Sequence, residues 1–595
     1  MIASASKNSH FSTHKNSAVL YDSQNQTWLG FGEPVAVFTA HFCSEIPAIL
    51  DAVQQAIEQY SYYVVGFLSY EAAPAFDESF QVQPESTFPL AWFALYQQPQ
   101  VVSPPSLRDR VPVSLPWQPS ISKAKYQECL AKIKDYIAQG VTYQVNYSFR
   151  LRTEFNLDSW RYFWQLNQAQ DGLYSAYINL ENWAICSASP ELFFQKRDRE
   201  IICRPMKGTA PRGLTYKRDR ELAQILKTSP KEQAENLMIA DMIRNDLGRI
   251  ADTGSVKVQH LFNIEKYPTL WQMTSPIECQ TDASIQDIFK ALFPCSSIVG
   301  APKTSTLKII AELEDSPRRI YTGTIGFITP NNHAQFNVAI RTVLIDKKSQ
   351  HAEYGVGGGI VWDSTETNEY EECCTKAKIL TRQQPTFALL ESLLWTPAES
   401  YFLLDLHLAR LQESAAYFNF SVDLEKVRDR LNHFAQTLPP KPHKIRLQCH
   451  KNGTIEINST ILQNRPQHQL LKVGIAQSPI DINNPFLYHK TTYRRHYEQF
   501  QKQHPQYEDV LLWNENQELT ESCIANIIVE TQDGKWYTPP VKSGLLPGTY
   551  RAWLLQQNRV QEKVIPLAEL SLYSRIFLIN SVRQIQEVYC VNLSA

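Results

Sequence analysis

Three features of the sequence predict a mixed chain, α+β or α/β, of at least two domains. The length of 595 residues exceeds what one hydrophobic core holds, at roughly 100 to 200 residues per domain. Proline-containing stretches interrupt the periodic pattern at two places. Strand-like runs such as "RIYTGTIGFIT" and "HAQFNVAIRTVLID" occur alongside amphipathic helical patterns in both halves, which argues against an all-β sandwich or a helix bundle.

The first interruption, Val101–Lys123, carries five prolines and little periodicity. It is expected as an irregular crossing between an N-terminal portion, residues 1–115, and a domain over 116–382. At the second, a helical pattern ending near Leu380 passes through a short polar stretch with a proline into a new apolar run, "FALLESLLW". A further domain is therefore expected over 387–595. A net charge of −2, with 43% hydrophobic and 20% charged residues, is that of a globular protein without the basic stripe of a nucleic-acid binder. The first 23 residues lack the apolar core of a signal peptide, and no run approaches the ~20 apolar residues of a membrane span, so a cytoplasmic location is expected. Eleven cysteines without a CxxC pair are expected as reduced thiols.

The elements that carry chemistry follow in chain order. "RPMKGTAPRG", Arg204 to Gly213, contains two prolines and two glycines and is predicted as a bend that presents Lys207. A lysine in such a place is ordinarily a solvated charge. In "TSPKEQAENLMIADMIRNDLGR", Ser229, Pro230 and Glu232 form an N-terminal capping signal, and Gly248 a stop, so a helix is predicted over 230–248. Glu232 and Glu235 share one of its faces, and Ala234, Met238 and Met242 lie in an apolar row. "DSTETNEYEECCTKAKIL" places Glu369 and Glu372 three apart on another predicted helix. Capping alone explains Glu232, and an ion pair with Lys376 explains Glu372. Brought together, the four would offer the hard oxygens that Mg²⁺ prefers. Between the helices, "SSIVGAPK" and "YGVGGGIV" match neither a dinucleotide fingerprint nor a P-loop. Their exposed backbone would suit a carboxylate ligand.

With "SASPELFF", "FNVAIRTV" and "GVGGGIVWDSTETNEYEE" added, these segments resemble, in order and spacing, the chorismate-utilising enzymes over roughly residues 120 to 380. That family includes anthranilate synthase component I, aminodeoxychorismate synthase component I, isochorismate synthase and salicylate synthase. The preceding "VVGFLSYEAAPAFD" is similar to the N-terminal portion of the synthase components. The resemblance implies a fold of sheets flanked by helices, with Glu235 and Glu372 as direct Mg²⁺ ligands and Glu232 and Glu369 in support. It implies Tyr321, Arg341, Gly357, Gly358, Gly359 and Lys376 as substrate contacts. Lysine at position 207 is the aminodeoxychorismate synthase choice, where anthranilate synthases carry alanine. It implies a nucleophile that attacks C2 of chorismate as the C4 hydroxyl leaves, with Glu191 as the general acid. Gln272 stands where many relatives have histidine, and Val299 where threonine is frequent. No amidotransferase sequence is apparent, so ammonia is expected from a separate glutaminase subunit.

In the C-terminal half, "DLHLARLQESA", "YHKTTYR", "LTESCIANI" and "GLLPGTYRAWLL" resemble, in order, the class IV aminotransferases, a fold-type IV family that includes aminodeoxychorismate lyase. The resemblance implies pyridoxal phosphate carried on Lys490, with Glu521 at its ring nitrogen. Arg410, Gly548, Thr549 and Tyr550 would receive the phosphate. The opening strands of that family, before the region matching "FALLESLLW", are expected to be missing or replaced. The combined expectation is a bifunctional enzyme of 4-aminobenzoate synthesis. The alternatives are an anthranilate synthase component, or a synthase whose C-terminal half is non-catalytic or a transaminase.

Overall fold

The computed structural model describes residues 11, 13–105, 115–170, 172–381, 385–463 and 470–591. The first ten residues, part of the proline-rich crossing, the 382–384 joint and the last four residues lie outside the described residues. Two compact units emerge: Met1–Pro211 with Ala223–Gln384, and Arg212–Leu222 with Pro385–Ala595.

In the first unit the described residues form a ten-stranded and a nine-stranded antiparallel sheet. A cluster including Leu20, Phe31, Ile178 and Leu344 from one sheet and Phe67, Trp92 and Phe327 from the other fills the space between them. Helices such as Ile46–Tyr60 and Lys123–Ala138 add a second, larger core. The elements that build the site are β1 (Gln144–Glu154), β2 (Met206–Pro211), α1 (Pro230–Gly248), β3 (Leu270–Thr274), β4 (His351–Ile360) and α2 (Glu366–Ala377).

Three expectations are refined here. The segments on either side of the proline-rich crossing belong to one unit: Ser17–Asp22 and Thr27–Phe31 lie in the same sheet as β1, and Tyr63–Leu68 pairs with Thr324–Ile328. The N-terminal portion thus completes both sheets instead of folding apart. Lys207 stands in a strand and not in a turn. β2 pairs with β3 at the edge of a three-stranded sheet, where the missing N–H of Pro211 is tolerated. A register shift between Met206 and Thr209, with Gly208 at φ +95°, aims the lysine. On α1, the N-cap Ser229 accepts from Glu232 N at 3.4 Å. The buried stripe is Asn236, Ile239, Ala240, Ile243 and Leu247, while Ala234 is exposed.

The second unit holds a four-stranded antiparallel sheet and an eight-stranded mixed sheet among the described residues. Its functional elements are β5 (Leu389–Thr396), α3 (Leu404–Phe418), β6 (His443–Cys449), β7 (Leu519–Ser522) and α4 (Thr549–Gln556). β5 and β6 pair in register from Leu389↔Cys449 to Trp395↔His443, and α3 packs its Leu408 and Leu411 on them. Segment 212–222 is anchored within this unit: Arg212 donates to Asp219 at 2.8 Å and to Tyr417 O at 2.9 Å, and Leu214 packs in the cluster of Leu487 and Tyr488.

Candidate active sites

In the first unit a cavity of 190 Å³ is lined by Glu191, Lys207, Glu232, Glu235, Gln272, Tyr321, Arg341, Gly357, Gly359, Glu369, Glu372 and Lys376. Residues from two helices, three strands and three loops thus converge, as spacing along the chain could not reveal. Gly358 is not among the wall residues, although a Cβ there would meet Glu369 Oε2 at 3.2 Å and Lys376 Nζ at 3.9 Å.

Lys207 is held from both flanks. Its carbonyl accepts from Asn236 Nδ2 on α1 at 3.0 Å, and Gln272 Nε2 on β3 donates to the neighbouring Gly208 O at 2.9 Å. Gln272 therefore braces the bulge that aims the lysine. The amine reaches past Glu235, 3.7 Å away, to lie against β4, so close that a Cβ at Gly359 would strike both Lys207 Nζ and Gln144 Nε2. Gln144, at the start of β1, is fully buried and neither of its amide atoms has a hydrogen-bond partner among the described residues. β4 pairs with β1 along its whole length, but its other edge is paired only over His351–Tyr354. The free edge of the glycine run faces the cavity, and Gly357 O accepts from Lys376 Nζ at 2.8 Å.

Glu191 is buried and accepts from Ser297 Oγ at 2.8 Å. Burial pushes its carboxyl up to about 7, against the opposing pull of the Ser297 hydroxyl and the positive Lys207. Near neutral pH it therefore holds a proton part of the time, as a general acid must. Burial, together with the charge of Glu235, also raises Glu232. Burial, together with Glu372, raises Glu369 even though Ser364 donates to it at 2.6 Å. Lys376, 2.7 Å from Glu372, holds that carboxyl down to about 2. Arg341 donates to Lys376 O, Tyr354 OH reaches the same carbonyl at 3.1 Å, and the Tyr321 ring packs where a side chain on Gly355 would be.

The second unit has a cavity of 350 Å³ that includes Lys490, Glu521, Arg410, Gly548, Thr549 and Tyr550. Lys490 follows a 3₁₀ turn, Pro485–Leu487, and its carbonyl accepts from Leu390 N on β5 at 3.0 Å. Burial, reinforced by Arg410, lowers its amine to about 7. Glu521 on β7 is buried and pushed up to about 8 by desolvation, although Tyr497 OH donates to it at 2.6 Å and Asn526 Nδ2 at 3.2 Å. Arg410 is gripped by Glu391 of β5 through two bonds of 2.9 and 2.6 Å, and reaches Pro547 O at 3.2 Å. Burial works against the Glu391 charge, but Arg410 and His407 hold that carboxyl at about 2. His407 lies 2.6 Å from Glu391 through Nδ1 and 3.3 Å from Thr549 Oγ1 through Nε2. Gly548 caps α4, whose first residue is Thr549. Leu390 and Ser392 of β5 also face the cavity, so the first described strand of the unit builds part of its wall.

Sequence reasoning missed Gln144, Asn236 and Glu391. A lone amide or carboxylate in an apolar strand or helix carries no spacing signal, and only burial without an obvious partner reveals it.

The first unit is thus a body of two large sheets and a small third one, whose cavity joins a lysine, a part-protonated carboxyl and paired glutamates. The second is a lysine and glutamate site beside a helix N-terminus. Residues 16–382 match the family described as chorismate binding enzyme, and residues 388–589 match amino-transferase class IV. The chain belongs to the chorismate binding enzyme family and carries a class IV amino-transferase domain after it. It is 39% identical over 269 residues to the aminodeoxychorismate synthase component 1 of Klebsiella aerogenes, covering 45% of this chain and 59% of that protein. It is 34% identical over 268 residues to the anthranilate synthase component 1 of Aquifex aeolicus, covering 45% and 54%. The chain therefore spans less than two thirds of these relatives. In fold it matches a crystal structure of anthranilate synthase component I from Streptococcus pneumoniae with a TM-score of 0.51 at 24% identity, over 64% of this chain and 95% of that one.

Proposed function

We propose that the chain makes 4-aminobenzoate in two steps: chorismate and ammonia give 4-amino-4-deoxychorismate in the first unit, and loss of pyruvate gives the aromatic acid in the second. The observation that carries this reading is the amine of Lys207, aimed by a bulge against Gly359 in the cavity it shares with Glu191. In the first step Lys207 Nζ bonds to C2 of the ring as the C4–O bond breaks, and Glu191 gives its proton to the departing hydroxyl. Ammonia then bonds to C4 and the C2–N bond to Lys207 breaks, restoring the free lysine. Lys376, Arg341 and the open edge of β4 would orient the substrate carboxylates. The ammonia would come from a partner that hydrolyses glutamine, as the component 1 designation of the relative implies.

Mg²⁺ suits the donor chemistry: four carboxylates border one cavity, and burial with mutual repulsion raises two of them, a strain that a cation relieves. Among the described residues no three acid, histidine or cysteine side chains stand close enough to hold a metal by themselves. Glu235 and Glu372 would hold it, with Glu232 and Glu369 behind them. Its charge would neutralise a substrate carboxylate.

Pyridoxal phosphate suits the second cavity, where a buried amine low enough to be neutral, a buried carboxyl and the Gly548–Thr549 helix start are brought together. When bound it would act as an electron sink. Lys490 would anchor it and, once freed, take the C4 proton of the substrate. Glu521 would keep the ring nitrogen protonated.

Two variants test the assignment. Lys490→Ala should stop 4-aminobenzoate while aminodeoxychorismate accumulates at the former rate, because Lys207 belongs to the other unit. Lys207→Ala should make no aminodeoxychorismate yet still convert it when supplied. Unchanged chorismate turnover in Lys207→Ala would remove the nucleophile, and continued 4-aminobenzoate release in Lys490→Ala would remove the lyase.

A further inference from the structure

The wall of the second cavity carries four cations that neither proposed step uses. Lys444 and Arg446 project from β6 two residues apart, hence on one face of that strand. Arg494 lies four residues beyond Lys490, donates to Cys523 O and stacks its guanidinium 4.6 Å from the Tyr497 ring. Arg583 sits in the connection between the strands Arg575–Asn580 and Gln584–Cys590, tied to Gln463 O at 2.9 Å. All four line the cavity. None forms an ion pair with a carboxylate among the described residues, whereas Arg410 in the same wall is matched by Glu391.

Like charges gathered without counter-ions are costly, and the cost is visible. Burial, then Arg446, Arg583 and Arg494, lowers the Lys444 amine. Arg494 also bears on Lys490, so the positive rim runs from the reactive amine outward. Three carboxyls share the wall, and of these Glu508 accepts from the backbone N–H of Lys472 at 3.0 Å. Glu521 is bonded to Tyr497 and Asn526, and Asp509 is raised to about 6 by burial. A rim of this kind is stable only when an anion completes it.

We propose that Lys444, Arg446, Arg494 and Arg583 form a carboxylate-binding rim that selects an amine substrate bearing two carboxylates over one bearing a single carboxylate. The inference rests on the lyase reading for the identity of the natural substrate. Aminodeoxychorismate carries one carboxylate on the ring, para to its amine, and a second on the enolpyruvyl ether beside the amine. With the amine at Lys490, the rim would meet the carboxylate para to it. A simple amino acid bears its α-carboxylate one carbon from the amine and would leave the outer cations unmatched. The cationic rim thus favours an amine with two carboxylates over one with a single carboxylate.

The test is binding to the full chain saturated with pyridoxal phosphate, by calorimetry. Two probes are compared: 4-amino-3-(carboxymethoxy)benzoate, a dianion, and (2-aminophenoxy)acetate, a monoanion that lacks only the carboxylate para to the amine. Wild type should prefer the dianion by roughly tenfold or more, the scale of one charge-assisted contact, and the preference should shrink at high salt. Lys444→Gln with Arg446→Gln should reduce it to about twofold while the affinity for pyridoxal phosphate stays as in wild type; Arg446→Lys should restore part of it. Equal affinities in wild type, a preference that survives the double substitution, or a loss of cofactor affinity in its place would each overturn the rim. If wild type releases no 4-aminobenzoate from aminodeoxychorismate yet shows the preference and loses it on substitution, the lyase reading fails and the rim stands.

Discussion

At the scale of single residues, two buried groups sit near neutrality and so make pH the first probe of function. Glu191, pushed up to about 7 by burial, is an acid only while protonated. Chorismate turnover at limiting substrate should therefore fall as pH rises through about 7. Glu191→Gln should lower the rate by roughly 10²- to 10⁴-fold and abolish that limb of the profile; a profile that keeps it would assign the titration elsewhere. Lys490 has the opposite sense. Its amine, lowered to about 7 by burial and Arg410, is protonated below that pH and neutral above it, and only the neutral amine is a nucleophile. Capture of pyridoxal phosphate by apoprotein should accelerate as pH rises through about 7, and borohydride should then fix the cofactor to the peptide that contains Lys490. A label on any other lysine would displace it from this role.

At the scale of elements, the site depends on how strands approach one another. A Cβ on Gly359 would occupy the space of Lys207 Nζ and Gln144 Nε2, so Gly359→Ala should cut aminodeoxychorismate formation by at least roughly tenfold while circular dichroism and lyase activity stay unchanged. In the second unit, Glu391 joins β5 to α3 through Arg410 and His407. Glu391→Ala strands the buried Arg410 guanidinium and leaves the His407 ring without its carboxylate partner, and should destabilise the unit by about 3–5 kcal/mol, read as an earlier denaturation midpoint. These contacts mark where the sequence was legible. The cap at Ser229 with Pro230, and the three-residue spacing of the glutamate pairs, are local chemistry and were visible. The strand at Lys207 was not, since its prolines and glycines read as a bend, and only pairing with β3 across more than sixty residues makes an edge strand of it. Gln144 and Glu391 were silent because their meaning lies entirely in what they meet.

At the scale of the whole molecule, the early resemblance to two enzyme families was legible because long motifs survive in order, whereas the body plan was not. Nothing local tells that Ser17–Asp22 completes the sheet containing β1, or that 212–222 packs within the second unit. Two separate cavities with separate lysines imply two separable reactions in one chain. The central claim is that these are successive, and product analysis tests it most directly: purified protein loaded with pyridoxal phosphate receives chorismate, Mg²⁺ and an ammonium salt, and the products are resolved by chromatography. The account predicts 4-aminobenzoate and pyruvate in equal amounts, with aminodeoxychorismate appearing only transiently; anthranilate as the aromatic product would contradict it.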